Sequence, residues 1–139
     1  MNATNTNANG WPVTEMRTWL RDTILPTIDA TIRSNIKTVS KTSYDKTTSA
    51  DLTSDETIWL PSAREVFGGS TYEQSGPIYS GLFTNDTTRT KRINSSAARW
   101  WLRSAGPSSS QYFRYVSTTG TGTTDYASGA NGVAFGFCT

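Results

Sequence analysis

Few side chains in this 139-residue chain could carry covalent or proton-transfer chemistry. It has no histidine, which excludes imidazole bases, Ser-His-Asp and Cys-His constellations, and imidazole-ligated metals. It has one cysteine, Cys138, which excludes an intrachain disulfide framework and a thiolate-rich zinc site. In its apolar terminal stretch, Cys138 is expected to be a small buried hydrophobe. The carboxylate pair Asp55-Glu56 is expected in a loop without flanking apolar context, and paired carboxylates alone are common. No catalytic residue, cofactor or metal site is therefore expected, and the chain is not expected to be an enzyme.

What the chain concentrates instead is contact chemistry. Residues 105–139 contain no Lys, Glu, Trp, Met, Leu or Ile, and their only charges are Arg114 and Asp125. Tyrosines there alternate with Ser, Thr, Asn and Gly. Tyr offers a large amphipathic surface at low entropic cost, and the small polar residues offer adjustable hydrogen bonds, the mixture that binding loops favour. A polar β-rich surface with loose turns would show the same composition, so composition leaves both readings open.

The rest of the chain must position that segment. Its length fits one domain able to bury about two-thirds of its unfolded surface. Thr, Ser and Asn (24, 17 and 8 residues) make up 35%, as much as all hydrophobic residues together, while charged residues are 17% and aromatics 12%. The net charge of +2 gives no reason to expect nucleic acid. No apolar run approaches a membrane span, so no membrane insertion is expected. Residues 1–9 are a polar Asn/Thr/Ala run, expected to be a disordered lead or linker and not a signal peptide, with the domain at 10–139.

Met16, Trp19, Leu20 and Ile24 form one apolar face, predicting a helix over 14–25 with Thr14 as its N-cap. The isoleucines at 28, 32 and 36 predict a second short helix over 26–33, with Pro26 in its first turn. Residues 36–42 are β-branched enough for a strand, and 43–56 are polar and expected to be a loop. Residues 57–60 predict a short buried strand. Ser62 and Glu65 form a capping box for a helix over 63–67, closed by Gly68-Gly69. Strands are expected over 100–102, 111–117 and 125–128, with a closing strand over 132–138. The fold class is α+β: helices packed on a twisted antiparallel sheet, with much irregular loop. Trp100 and Trp101 are expected in the core, and Arg103 is expected to be buried against a carboxylate. Arg89, Lys91 and Arg92 are expected on a solvated face.

An ordered set of residues carries a resemblance: Trp100-Trp101-Leu102-Arg103-Ser104, then Phe113-Arg114-Tyr115-Val116, Gly120, Ala127 and Gly132-Val133-Ala134-Phe135-Gly136-Phe137-Cys138. Upstream, Glu15-Met16-Arg17 with Trp19-Leu20, and Leu60-Pro61-Ser62 with Glu65-Val66-Phe67-Gly68, fit the same pattern. Over about residues 10–138 the chain resembles a bacterial and viral domain family similar to the C-type lectin-like variable proteins of diversity-generating retroelements. The resemblance implies a C-type lectin-like fold and a ligand-binding, receptor-recognition role, with diversification at template adenines in the C-terminal segment. Residues 105–131, apart from Gln111, fit the amino acids that a randomised Asn codon allows.

It also implies a division of roles. Trp100, Trp101, Leu102, Phe113, Val116, Ala127, Val133, Phe135 and Phe137 would be scaffold. Tyr112, Arg114, Tyr115, Ser117, Thr124, Asp125, Tyr126, Ser128 and Asn131 would face the ligand. Phe113 and Val116 are three apart, so a bulge or irregular strand is expected there. The Glu-Pro-Asn, Gln-Pro-Asp and Trp-Asn-Asp triplets of calcium-dependent lectins do not occur, and Asp125 is the one carboxylate of this region, so no calcium site is expected. The expected partner is a protein or glycan on a host or neighbouring cell, met at a virion tail tip or cell surface by a monomer or small homo-oligomer. The alternative is a structural or assembly module of a viral tail or cell-surface protein.

Overall fold

The structure, a computed structural model, describes residues 1–69, 73 and 75–139. It is a mixed α+β fold of short helices and antiparallel sheets.

The helical start follows its caps. The Thr14 side chain accepts the Arg17 N–H and opens α1 (Glu15–Trp19), which runs on as a single wider turn over Leu20–Ile24. Leu20 is fully buried and Met16 and Ile24 pack beside it, whereas Trp19 of the expected apolar face is exposed. Pro26 sits in a tight turn, Leu25–Thr27, and the Asp29 carboxylate then caps α2 (Ala30–Arg33) through the Thr31 and Ile32 N–H groups. The helix expected over 26–33 is therefore cut to four residues, because Asp29 supplies a fresh N-terminus.

The first sheet corrects the sequence reading. β1 (Val39–Asp45) and β2 (Ala50–Glu56) form a regular hairpin where 43–56 was expected to be a loop. Its inward side on β1 is Lys41, Ser43 and Asp45, all buried. Asp45 fastens the turn, accepting from the N–H groups of Thr47 and Thr48 and from the Thr48 hydroxyl.

α3 (Ala63–Phe67) has the expected bounds and a complete capping box: Ser62 Oγ accepts from Glu65 N–H, and Glu65 accepts from Ser62 N–H at 2.8 Å. Residues 57–60, expected as a strand, are a bend followed by one bridge to the C-terminal segment, Trp59 to Gly136. α4 (Asp86–Arg89) is capped by Asn85, and β3 (Lys91–Ile93) and β4 (Ser96–Ala98) make a three-residue hairpin that the sequence reading did not anticipate.

The largest sheet orders β5 (Trp100–Ala105), β6 (Tyr112–Val116) and β7 (Gly122–Tyr126), all antiparallel. β5 is buried on both faces. Trp101, Ala105, Phe113 and Tyr115 pack on one side with Trp11, Leu20, Ile58, Trp59 and Leu60. Trp100, Leu102 and Val116 pack on the other with Val66 and Phe83. Phe113 and Val116 are both buried because core lies on both faces. The register shift lies in β5, between Trp101 and Ala105, while β6 pairs with β7 without interruption.

Both ends of the chain are fastened. Residues 1–9, expected to be a disordered lead, are instead placed along the β6–β7 region. The Met1 amino group donates to Ala127 O at 2.7 Å, and Asn7 is buried with its side-chain amide on the carbonyls of Ser109 and Tyr112. The N-terminal segment thereby supplies donors to backbone carbonyls at the ends of β6 and β7. The closing segment is not a strand but a series of isolated bridges, Gly132 with Trp100, Gly136 with Trp59 and Cys138 with Lys37. Val133 packs on the core, but Phe135 and Phe137, expected as scaffold, are 41% and 36% exposed, and Cys138 is exposed as well.

Candidate functional site

Register divides the candidate ligand-facing residues. Residues paired directly across antiparallel strands share a face. Tyr112 pairs with Tyr126 and Arg114 with Thr124, so these four lie together on one face of the β6–β7 ladder. The two tyrosine rings meet edge to face, 4.9 Å apart at 75°. Tyr126 is 46% exposed and Tyr112 and Arg114 are half-buried. Hydrogen bonding and charge at Tyr126 raise the Tyr112 phenol above its ordinary value.

The neighbours of this face explain its shape. A Cβ on Gly106 would stand 2.7 Å from Tyr112 Cβ, so the absence of a side chain there lets Tyr112 lie across the end of β5. The Arg114 guanidinium passes over the bare backbone of Gly122 and reaches within 5.9 Å of the Phe67 ring centroid.

The other candidates serve elsewhere. Tyr115 alternates to the opposite face, where it is buried edge-on against Trp101 at 6.1 Å, with the Arg99 guanidinium 5.5 Å from its ring. Its assignment to the ligand-facing set is corrected: it is core. Asp125 shares that side and holds the following loop, accepting from Tyr126 N–H at 2.8 Å and from the Asn131 amide at 3.2 Å. Ser128 donates to Asn5 Oδ1 at 2.5 Å, tying the loop to the N-terminal segment. Ser117 lies at the far end of the hairpin, its hydroxyl 2.9 Å from that of Thr119 and 2.8 Å from that of Thr121. The nine candidates are thus a four-residue face, two flanking loop positions (Ser117 and Ser128), a loop clamp (Asp125 with Asn131) and one core residue.

Beneath the sheet runs a buried charge network. Arg103, as expected, is fully buried against a carboxylate: Nη1 donates to Glu65 Oε2 at 2.6 Å and to Leu60 O at 2.6 Å, and Nη2 donates to Thr42 O at 2.7 Å. Lys41 donates to Glu65 Oε1 at 3.3 Å and to the Tyr79 hydroxyl at 2.6 Å, with its ammonium 4.0 Å from the Trp59 ring centroid. Burial lowers the Lys41 ammonium below its ordinary value, against the pull of Glu65. Burial alone would raise the Glu65 carboxyl, but Arg103 and the Ser62 N–H outweigh it and hold the group below the usual range. Burial, aided by the charge of Glu65, pushes the Tyr79 phenol up to about 12. Glu73, also buried, accepts from Ser104 Oγ and from the Tyr44 and Arg64 N–H groups. Glu65 and Glu73 thus join loops to strands. Of the basic cluster, Arg92 is solvated, but Arg89 and Lys91 lie over aromatic rings and Arg89 also pairs with Asp86 at 2.9 Å.

Among the described residues, no three or more Cys, Asp or Glu side chains converge as metal ligands, and no helix is long and apolar enough to cross a membrane. A family described as a domain of unknown function, DUF6273, matches residues 1–138. No curated protein and no solved structure matches the chain.

Proposed function

The chain belongs to the DUF6273 family, and we propose that it is a recognition module that presents the β6–β7 face to a protein or glycan on another cell. The observation that carries this reading is the register: Tyr112, Arg114, Thr124 and Tyr126 lie side by side on one face, while Phe113 and Tyr115 between them are core. Substitution at the four can change the contact surface without opening the core, the property a variable surface requires. The tyrosines supply contact area, the hydroxyls and guanidinium supply directed hydrogen bonds, and the two-sided core behind β5 keeps both in place.

In its finer form the proposal is a C-type lectin-like variable protein of a diversity-generating retroelement, on a virion tail tip or cell surface. Helices preceding an antiparallel sheet, long irregular connections, and a C-terminal segment that returns to Lys37 and Trp59 support that fold.

Sequencing the gene from many isolates tests it. Substitutions are expected to concentrate at codons 112, 114, 124 and 126, matched to adenines of a nearby repeat beside a reverse-transcriptase gene, with 101, 113, 115 and 116 constant. Equal substitution of both faces overturns the diversified reading. The structural-module alternative has one observation in its favour: among the described residues no further strand pairs with the outer edge of β7. It would show as concentration-dependent assembly abolished by Thr124→Pro.

A further inference from the structure

On the side of the molecule built from the C-terminal segment, a groove of about 530 Å³ opens between Trp59, Tyr79, Phe83, Trp100, Phe135 and Phe137. Its size is that of small-molecule sites. Six aromatic rings line it, and the two phenylalanines that the sequence placed in the core are part of its exposed wall. Leu82, also lining it, is 61% exposed. Two lysines lie near it, and they differ. Lys41 is held below the groove by Glu65 and the Tyr79 hydroxyl. Lys91 is the one charged residue of the lining. Its ammonium stands 5.4 Å from the Phe83 ring centroid and 6.0 Å from that of Trp100. Among the described residues it has no carboxylate within ion-pair distance. A cation over aromatic faces at the edge of an apolar groove lacks a counter-charge that a ligand can bring.

We infer that this groove binds a small amphipathic monoanion, with an aromatic or aliphatic body among the rings and a carboxylate or sulfonate on Lys91. The site is separate from the β6–β7 face and does not rest on the reading of that face. Charge selects the class: the lining has a cation and no carboxylate, so an amphipathic cation would meet repulsion and a neutral body would forgo the ion pair.

Fluorescence titration with 8-anilinonaphthalene-1-sulfonate, against its uncharged counterpart N-phenyl-1-naphthylamine, tests this on the folded chain. One saturable site is expected. Lys91→Gln should weaken the sulfonate at least tenfold and the neutral probe less than twofold, with the melting temperature unchanged. Ala134→Trp should block both probes, and Phe135→Ala, on an exposed ring, gives a milder second variant that should weaken both. Tyr112→Ala/Tyr126→Ala should leave both affinities as they were, which separates this site from the recognition face. Equal affinity of the two probes, or a Lys91→Gln variant that binds the sulfonate like the parent, overturns the inference.

Discussion

Arg103 Nη1 and Glu65 Oε2 lie 2.6 Å apart, with 1% of either side chain exposed. The pair links β5 to α3, and the remaining Arg103 hydrogens reach the carbonyls of Thr42 and Leu60, so one guanidinium joins four segments. Removing either partner unbalances buried charge: without Arg103 the Glu65 carboxylate keeps only the longer ion pair with Lys41 at 3.3 Å, and without Glu65 the guanidinium loses its carboxylate. Arg103→Met is expected to cost about 3–5 kcal/mol, and Arg103→Met/Glu65→Leu less than the sum of its parts. Urea unfolding of the two single variants and the double variant measures this; additive losses would mean that the pair is not coupled. The Glu65 carboxyl is held below its ordinary value of 4.5, so its contribution is present above that value and is lost as pH falls through the lower folded value. Glu65→Gln should remove that part of the acid limb.

The contrast between this pair and the β1–β2 hairpin shows what the sequence discloses. Arg103 in an apolar run has few solutions other than a buried partner, and Ser62 with Glu65 spells a capping box by spacing alone. The hairpin is hidden because its inward positions are Lys41, Ser43 and Asp45, which read as solvated. Their burial depends on Glu65, twenty or more residues away, and on a local turn clamp. Tyr115 shares the side of Phe113 by plain alternation; the sequence conceals this because Val116, on the other face, is core as well, and a core on both faces of the sheet is a tertiary feature. Phe135, Phe137 and Cys138 were misplaced because isolated bridges leave that segment only partly covered.

The Tyr79 phenol, pushed up to about 12, makes an alkaline counterpart. Its folded value lies above its ordinary value of 10, so the folded state holds the proton more tightly. The stability this gives is complete below pH 10 and declines as pH rises through 12. Thermal melts between about pH 9 and 12 should show this decline in the parent chain. Tyr79→Phe should flatten it while leaving melts at neutral pH less affected. An unchanged slope in that variant would assign the alkaline loss to other groups.

Gly120 closes the turn between β6 and β7 with φ +86°, and a Cβ there would stand 2.0 Å from Asp86 O. Both the left-handed backbone and the contact with α4 require glycine. Gly120→Ala should therefore cost more than about 2 kcal/mol, as a lower urea midpoint. Gly81, where an added Cβ meets nothing within 4 Å, is the control: Gly81→Ala should shift the midpoint little. Equal effects at the two positions would show that the turn is not braced by α4.

Tyr112 and Tyr115, three residues apart on β6, should respond to alanine in opposite ways. Tyr115 packs against Trp101, so Tyr115→Ala should cost about 3–5 kcal/mol through lost burial and a cavity. Tyr112 is only half-buried and its ring meets the exposed Tyr126, so Tyr112→Ala should lower the melting temperature far less while abolishing attachment to whichever cells the parent chain labels. The same pairing has a titration signature. Tyr126 raises the Tyr112 phenol, so Tyr126→Phe should bring Tyr112 down toward its ordinary value of 10, followed through the ring Cζ chemical shift. A Tyr112 phenol that titrates identically in both proteins would mean that the two hydroxyls do not meet in solution. The recognition face would then lose the pre-organised aromatic pair on which its contact area depends.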